Sequence, residues 1–451
     1  MPLEKTKALL LAANETAEEL LSQVKDLYVE KIRSEEEVLK DALSQLHNAG
    51  EIDLIKLVRG VDRSSNGHDF FTILHVFENV LPSLDASIED VLRCLLHLTQ
   101  QAGRDLAIGG VYRAFQHFCS VEAHRPRDSV EFILAQTDLS QYAPFLSSSI
   151  LAYDSDCVTD AIQTTENLIA NKNEIVRSQA YFILGGLNVV ETQANVIWEL
   201  LSGGGERERE SGCCASVMRA TISFGDAFPS YWPRIEEFLL MFVEEPPSEV
   251  LYEISNIVAF MRVELPEGVL RLLLKQFTNV SAEHKGIIDN IDHILVNLVE
   301  KGEFPEALKL LESILTAGVK FPQLGYFSRE LLSNHQKLLN HIVTKWFLSG
   351  DSSLCHSVSN LLHDFTDKHI ELKAEMALLG DEVKQIFVSH KAVGWLFTCP
   401  VVAASFILSI YETASRSTRK ELEQILYDPL LLSYPGELKR FFQSRIDIGF
   451  Q

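Results

Sequence analysis

The sequence predicts an all-α protein built from antiparallel helix pairs. Apolar residues recur at helical spacing behind recognisable helix starts, and no long run alternates Val, Ile and Thr as a half-buried strand would. Apolar helices also return at a spacing of about 37 residues, as stacked helix pairs do. Glycine (23) and proline (14) are too scarce in 451 residues for a turn-rich β-protein.

The helix starts come first. Thr16-x-x-Glu19 and Ser34-x-x-Glu37 are capping boxes, in which side chains satisfy the orphan N–H groups of a first turn. Behind Thr16, Leu20, Val24, Leu27 and Val29 with Ile32 form an apolar stripe. Behind Ser34, Val38, Ala42, Leu43 and Leu46 do the same, and Asn48-Ala49-Gly50 closes that helix. Ser87-Ile88-Glu89-Asp90 opens another, with Val91, Leu95 and Leu98 on one face and Gly103 as its stop.

Further on, Glu174-Ile175-Val176-Arg177 leads into Ala180 and the run Tyr181-Phe182-Ile183-Leu184-Gly185-Gly186-Leu187, after the polar turn Ala170–Asn173. Comparable helices are expected at Val250–Val258 and Ile287–Leu295, where Ile254 precedes Ile291, and Ile257 precedes Ile294, by 37 residues. Cys213–Val217 falls near the midpoint of the first two. The 174–187 segment resembles the second helix of a HEAT repeat, and the resemblance extends in spacing over 140–350. It implies an irregular HEAT- or armadillo-like α-solenoid. Gly302–Leu311 looks more like half of a tetratricopeptide-type pair.

The organisation that follows is a helical hairpin over 1–60, a helical segment over 61–140, HEAT-like repeats over 141–350 and a C-terminal helical segment over 351–451. Asp62–Gly67 reads as a polar loop, and Ser202–Glu210, with three consecutive glycines, as a flexible loop running into a charged helix start. Glu244–Ser248 and Leu348–Ser353 read as inter-helix turns.

Lys and Arg total 40 and Asp and Glu 63, for a formal charge of −23. That excess disfavours nucleic acid, whose binders need a basic footprint. The 46% hydrophobic content disfavours disorder. The 40 residues from Glu412 onward carry six acidic and six basic side chains, so the acidity lies elsewhere. Basic spots occur at Arg125-Pro126-Arg127, at Arg416, Arg419 and Lys420, and at Lys439 and Arg440 with Arg445. The last lies among Phe441, Phe442 and Phe450. Arg416, Arg419, Lys420, Lys439, Arg440, Phe441 and Phe442 are the candidate partner-binding residues.

Seven cysteines, an odd number with no CxxC spacing, point to a reducing, cytosolic compartment. The first thirteen residues resemble the start of a secretory leader, but Glu4 and the acidic run after Asn14 fit an amphipathic helix better. Ala392–Tyr411 is uncharged over a near-spanning length, yet Thr398-Cys399-Pro400 divides it into two core helices.

Candidate chemistry is thin. His68-Asp69 with His75, and His363-Asp364 with His356 and His369, carry the His-Asp pattern of metal-dependent hydrolases. Asp154, Asp156 and Asp160 lack the glycine and closing glutamate of a calcium loop and read as an acidic helix start. Gly203–Gly205 is followed by Glu206 and Glu208, which repel phosphate. Cys213-Cys214 reads as a core position, and Gly-x-Ser-x-Gly does not occur. No catalytic, cofactor or metal set is assigned. The expected function is a non-enzymatic protein-binding scaffold or adaptor with an acidic solenoid surface, neutralising a basic partner such as a toxin or nuclease as an immunity protein does. The competing readings are a metal-dependent hydrolase on a His-Asp helix, and a structural subunit pairing through residues 1–50. A protein partner is expected, and nucleic acid and membrane are not.

Overall fold

A computed structural model describes residues 3–31, 36–67, 69–103, 105, 108–242, 246–363 and 370–449. Ile32, Ser34, His68, Asp364, His369 and Phe450 lie outside the described residues. Among those described, none is in a strand. The chain forms two compact units, residues 1–238 and 239–451.

The first unit begins with α1 (Leu3–Ala12), α2 (Ala17–Lys31), α3 (Glu36–Asn48), α4 (Leu54–Arg59), α5 (Arg63–Asn66) and α6 (Asp69–Val80). It continues through α7 (Ile88–Ala102), α8 (Gly109–Ser120), α9 (Arg125–Leu134), α10 (Leu139–Tyr142) and α11 (Pro144–Ile150). It closes with α12 (Val158–Ile169), α13 (Glu174–Leu184), α14 (Glu191–Arg207) and α15 (Ser211–Ala227), and its boundary falls within α16 (Trp232–Phe242). Two of the three starts expected from the sequence are present: Thr16 Oγ1 accepts from the Glu19 amide at 3.2 Å and Ser87 Oγ from the Asp90 amide at 3.1 Å, while the Ser34 start lies outside the described residues. Leu20, Val24, Leu27, Ala42, Leu43 and Leu46 are buried. Val29 departs from its stripe and is 60% exposed. Gly50 and Gly103 stop their helices at positive φ.

The glycine-rich stretch differs from expectation. Residues 203–205 are not a loop but the last turns of α14. A Cβ on Gly204 would lie 2.5 Å from the Tyr181 ring, so the glycine permits α14 to close on α13. The Tyr181 hydroxyl donates to Glu208 Oε1 at 3.0 Å, and Arg177 Nε donates to the same oxygen at 3.1 Å. This network turns the chain from α14 into α15. Of the Arg125-Pro126-Arg127 spot, Arg127 is exposed but Arg125 is internal: its guanidinium is buried over the Phe118 ring at 4.0 Å and donates to the Phe118 carbonyl.

The second unit holds α17 (Ser248–Phe260), α18 (Glu267–Lys275), α19 (Lys285–Glu300), α20 (Phe304–Thr316), α21 (Gly325–Asn334) and α22 (Gln336–Ser349). It ends with α23 (Ser352–His363), α24 (Glu382–Trp395), α25 (Pro400–Tyr411), α26 (Arg416–Ile425) and α27 (Pro435–Gly449). Helices recurrently pack on the next but one: α17 on α19 and α19 on α21, then α22 on α24 and α24 on α26. That pattern is a helical repeat solenoid of paired helices. Pro400 opens α25 as expected, and no helix among the described residues is long and apolar enough to cross a membrane.

Residues 370–375 run extended between α22 and α25. Their amides are met by side chains: Lys373 N donates to Asn340 Oδ1 at 3.0 Å, Ala374 N to Ser409 Oγ at 2.8 Å and Glu375 N to Thr344 Oγ1 at 2.9 Å. Gln336 and Ser405 donate in turn to the carbonyls of Glu371 and Leu372. A segment without secondary structure is thereby laid over the helices with its backbone paired and Leu372 fully buried.

Candidate protein-docking face

The most exposed aromatic row of the second unit arises from how α19 is written. Ile287, Ile288, Ile291, Ile294, Leu295, Leu298 and Val299 are all buried, so α19 is covered on most of its circumference. The residues that reach solvent include Lys285, Val296 and a stripe at helical spacing, Gly286, Asp289, His293, Asn297 and Glu300. On α17 the matching stripe is Glu249, Tyr252, Glu253, Asn256 and Phe260, and on α21 it is Tyr326, Arg329, Glu330 and Ser333.

Three rings on these stripes meet in series. The Phe260 and His293 centroids are 5.3 Å apart at 60°, and those of His293 and Tyr326 are 4.7 Å apart at 29°, a stacked pair. Positions 260, 293 and 326 are equally spaced along the chain, one on each of the alternate helices α17, α19 and α21. Phe260 is 56% exposed and Tyr326 59%. Tyr252, 47% exposed, lies over Gly286, where a Cβ would stand 3.2 Å from its ring.

The polar groups beneath hold this row in place. Asp292 is buried, with Oδ2 accepting from the Tyr326 amide at 2.9 Å and Oδ1 from the Phe327 amide at 2.7 Å. It thus caps α21 from a neighbouring helix, since Leu324 at the cap position has no side chain to do so. Burial pushes its carboxyl up from the ordinary range, against the pull of those two amides. Asn290 Nδ2 donates to Ser255 Oγ and to Asn256 Oδ1, both at 2.8 Å, and Asn297 Nδ2 to the Ala259 carbonyl at 3.0 Å. At the C-terminal ends of α17 and α19 opens a cavity of about 540 Å³, lined by Ala259, Met261, Val263, Leu265, Ile294 and Asn297 among others. Sequence reasoning missed this row. The available signal was the 33-residue interval between aromatic or histidine positions 260, 293 and 326.

The C-terminal candidates fare unevenly. Arg416 and Lys420 on α26, and Lys439 and Arg440 on α27, are exposed. Arg419 is spent internally: Nε donates to the Tyr411 carbonyl and a terminal nitrogen to that of Glu412, both at 3.0 Å, closing the end of α25. Arg440 Nε donates to the Gly436 carbonyl at 3.2 Å. Phe441 and Phe442 are half-buried with their rings 5.5 Å apart, and Arg445 pairs with Glu371.

The candidate chemistry is dispersed. Among the described residues no group of three His, Cys, Asp or Glu could hold a metal ion. His356 stacks on Trp395 at 5.9 Å, and His75 sits edge-on to Tyr28 at 5.8 Å and faces Glu78 at 3.7 Å. Asp156 and Asp160 stand at the start of α12. Burial pushes the Cys213 thiol up to about 12, which keeps it protonated and unreactive at neutral pH.

Glu78 carries an unpaired buried oxygen, Oε1, beside Gly110, and burial raises its carboxyl above the usual range. Its ionisation therefore opposes folding. That cost is absent below the unfolded-state pKa and complete once pH exceeds the folded-state one. Glu78→Gln should raise stability at pH 7 by about 1 kcal/mol and leave it unchanged in acid, measured by urea unfolding at both pH values. An equal gain at both would show that ionisation is not the cause.

No family model matches the chain, and no curated protein does. Among solved structures, the chain is similar to the crystal structure of SYS-1, with a TM-score of 0.27 and 10% identity over 95% of this chain and 99% of that one. It is also similar to a circular tandem repeat protein with novel repeat topology and enhanced subunit contact surfaces, with a TM-score of 0.18 and 13% identity over 99% and 97%.

Proposed function

We propose that the protein is a protein-binding scaffold whose docking face is the stripe shared by α17, α19 and α21, on an array of HEAT/armadillo kind in a reducing, cytosolic compartment. The observation that carries this is the ring row Phe260–His293–Tyr326 on the alternate helices α17, α19 and α21, with Phe260 and Tyr326 exposed and each in contact with His293. Isolated exposed apolar residues are ordinary, but contiguous aromatics held by buried polar groups are what protein interfaces enrich. The exposed cations Arg416, Lys420, Lys439 and Arg440 form a second, smaller surface for an acidic partner.

The test is affinity capture from extract of cells that make the protein, at low and high salt, using the wild type and a Phe260→Ala, His293→Ala, Tyr326→Ala variant. A stoichiometric partner should be recovered by the wild type and lost from the variant, with circular dichroism unchanged. Equal recovery by both would remove this face from the function. Recovery by neither wild type nor variant at any salt would remove the scaffold reading.

A further inference from the structure

The ring row is flanked by carboxylates rather than by more apolar surface. The three stripes carry Glu249, Glu253, Asp289, Glu300 and Glu330, the last paired with His335, against Arg329 and Lys285. Asp289 is the central one. It lies one helical turn from Gly286, over which the Tyr252 ring rests, and one turn from His293 in the row. A carboxylate between two exposed aromatic systems suits a cation that can stack on a ring face and pair with an oxygen. An anion meets repulsion here, and a purely apolar segment desolvates the Asp289 carboxylate.

Resting on the docking reading above, we infer that this face takes an extended, arginine- or lysine-bearing segment of a partner protein. Its cationic side chains lie on the rings of Tyr252 and Tyr326, with Asp289 as counter-charge. Side chains on one side of an extended chain are about 7 Å apart, so alternate residues of such a segment face the same surface. The chain's −23 charge supplies long-range attraction for a basic partner, and the rings supply the local choice of this face over other acidic surface.

Three fluorescein-labelled octapeptides test this by anisotropy: alternating arginine and serine, the same with leucine for arginine, and the same with glutamate. The arginine peptide should bind and the other two should not. Tyr326→Ala should weaken it about tenfold, Tyr326→Phe should restore it, and Asp289→Asn should weaken it severalfold with a shallower salt dependence. Thermal unfolding of each variant separates lost contacts from lost folding. Leucine-peptide binding as tight as arginine-peptide binding would overturn the cationic assignment while leaving the docking face standing. Arginine-peptide binding unaffected by the alanine variant would place it on diffuse acidic surface and also overturn the proposal. So would failure of all three peptides to bind, and the capture experiment then decides the docking reading on its own.

Discussion

Replacing Asp292 with alanine should destabilise the protein by about 3 kcal/mol and loosen the ring row at the same time. The Asp292 carboxylate is the cap of α21, supplied from α19, and its removal orphans two amides, the buried one of Phe327 and the part-buried one of Tyr326. Each unsatisfied amide costs about 1–3 kcal/mol. Relief of the buried charge offsets part of that, because burial has already raised the carboxyl above its ordinary value. The sign of the pH dependence follows. The wild type gains from holding this group protonated below its unfolded pKa, and loses that gain as pH rises through the higher folded value. The alanine variant lacks that slope. Asp292→Asn keeps one accepting oxygen, so it should recover about half the loss and also show no slope. Chemical unfolding at several pH values between about 3 and about 7 checks the energies. The position of the Tyr326 ring over His293 is checked by the ring-current shift of the histidine. A loss under about 1 kcal/mol, or an unmoved histidine signal, would mean that α21 is held by packing alone.

Asp292 also marks where the sequence stopped being legible. Helix starts were readable because a cap and its amide lie within three residues, as at Ser87 and Asp90. The apolar stripes were readable because one face of a helix is set by local spacing, and Leu20, Val24 and Leu27 are buried as their pattern requires. Asp292 caps a helix that begins 33 residues later, which no local pattern announces. The ring row is of the same kind: Phe260, His293 and Tyr326 look like unrelated positions until α17, α19 and α21 pack side by side. Two of the basic side chains were illegible for the converse reason. Composition shows that an arginine is present, but not that Arg125 is buried against Phe118 or that Arg419 is closing α25. Three consecutive glycines read as a loop because glycine disfavours helix by itself. In α14 that propensity cost is outweighed by the approach of Tyr181 to Gly204.

The same reasoning applies with greater force to Gly185, in the segment 174–187. It has an ordinary right-handed conformation, so its backbone does not demand glycine. Its neighbours do: a Cβ there would stand 2.7 Å from the Cα of Ala220 on α15. At Gly204 the obstacle is a tyrosine ring, and at Gly110 the end of a glutamate side chain, but here it is main chain. The main chain can yield only if α13 and α15, which pack on one another, move apart. Gly185→Val should therefore cost about 3 kcal/mol or more, with Gly185→Ala about half as much. Both exceed the few tenths to 1 kcal/mol that adding a side chain would return by stiffening the unfolded chain. Ala220→Gly in the Gly185→Ala background removes a Cβ that the new methyl meets at 3.1 Å. It leaves the clash with the α15 main chain in place, so it should rescue only part of the loss. Urea unfolding of the two single variants and the double variant measures this directly. Full rescue would put the conflict in the side chains. A Gly185→Val protein as stable as wild type would mean that the two helices separate without cost, and that Gly185 marks no close approach.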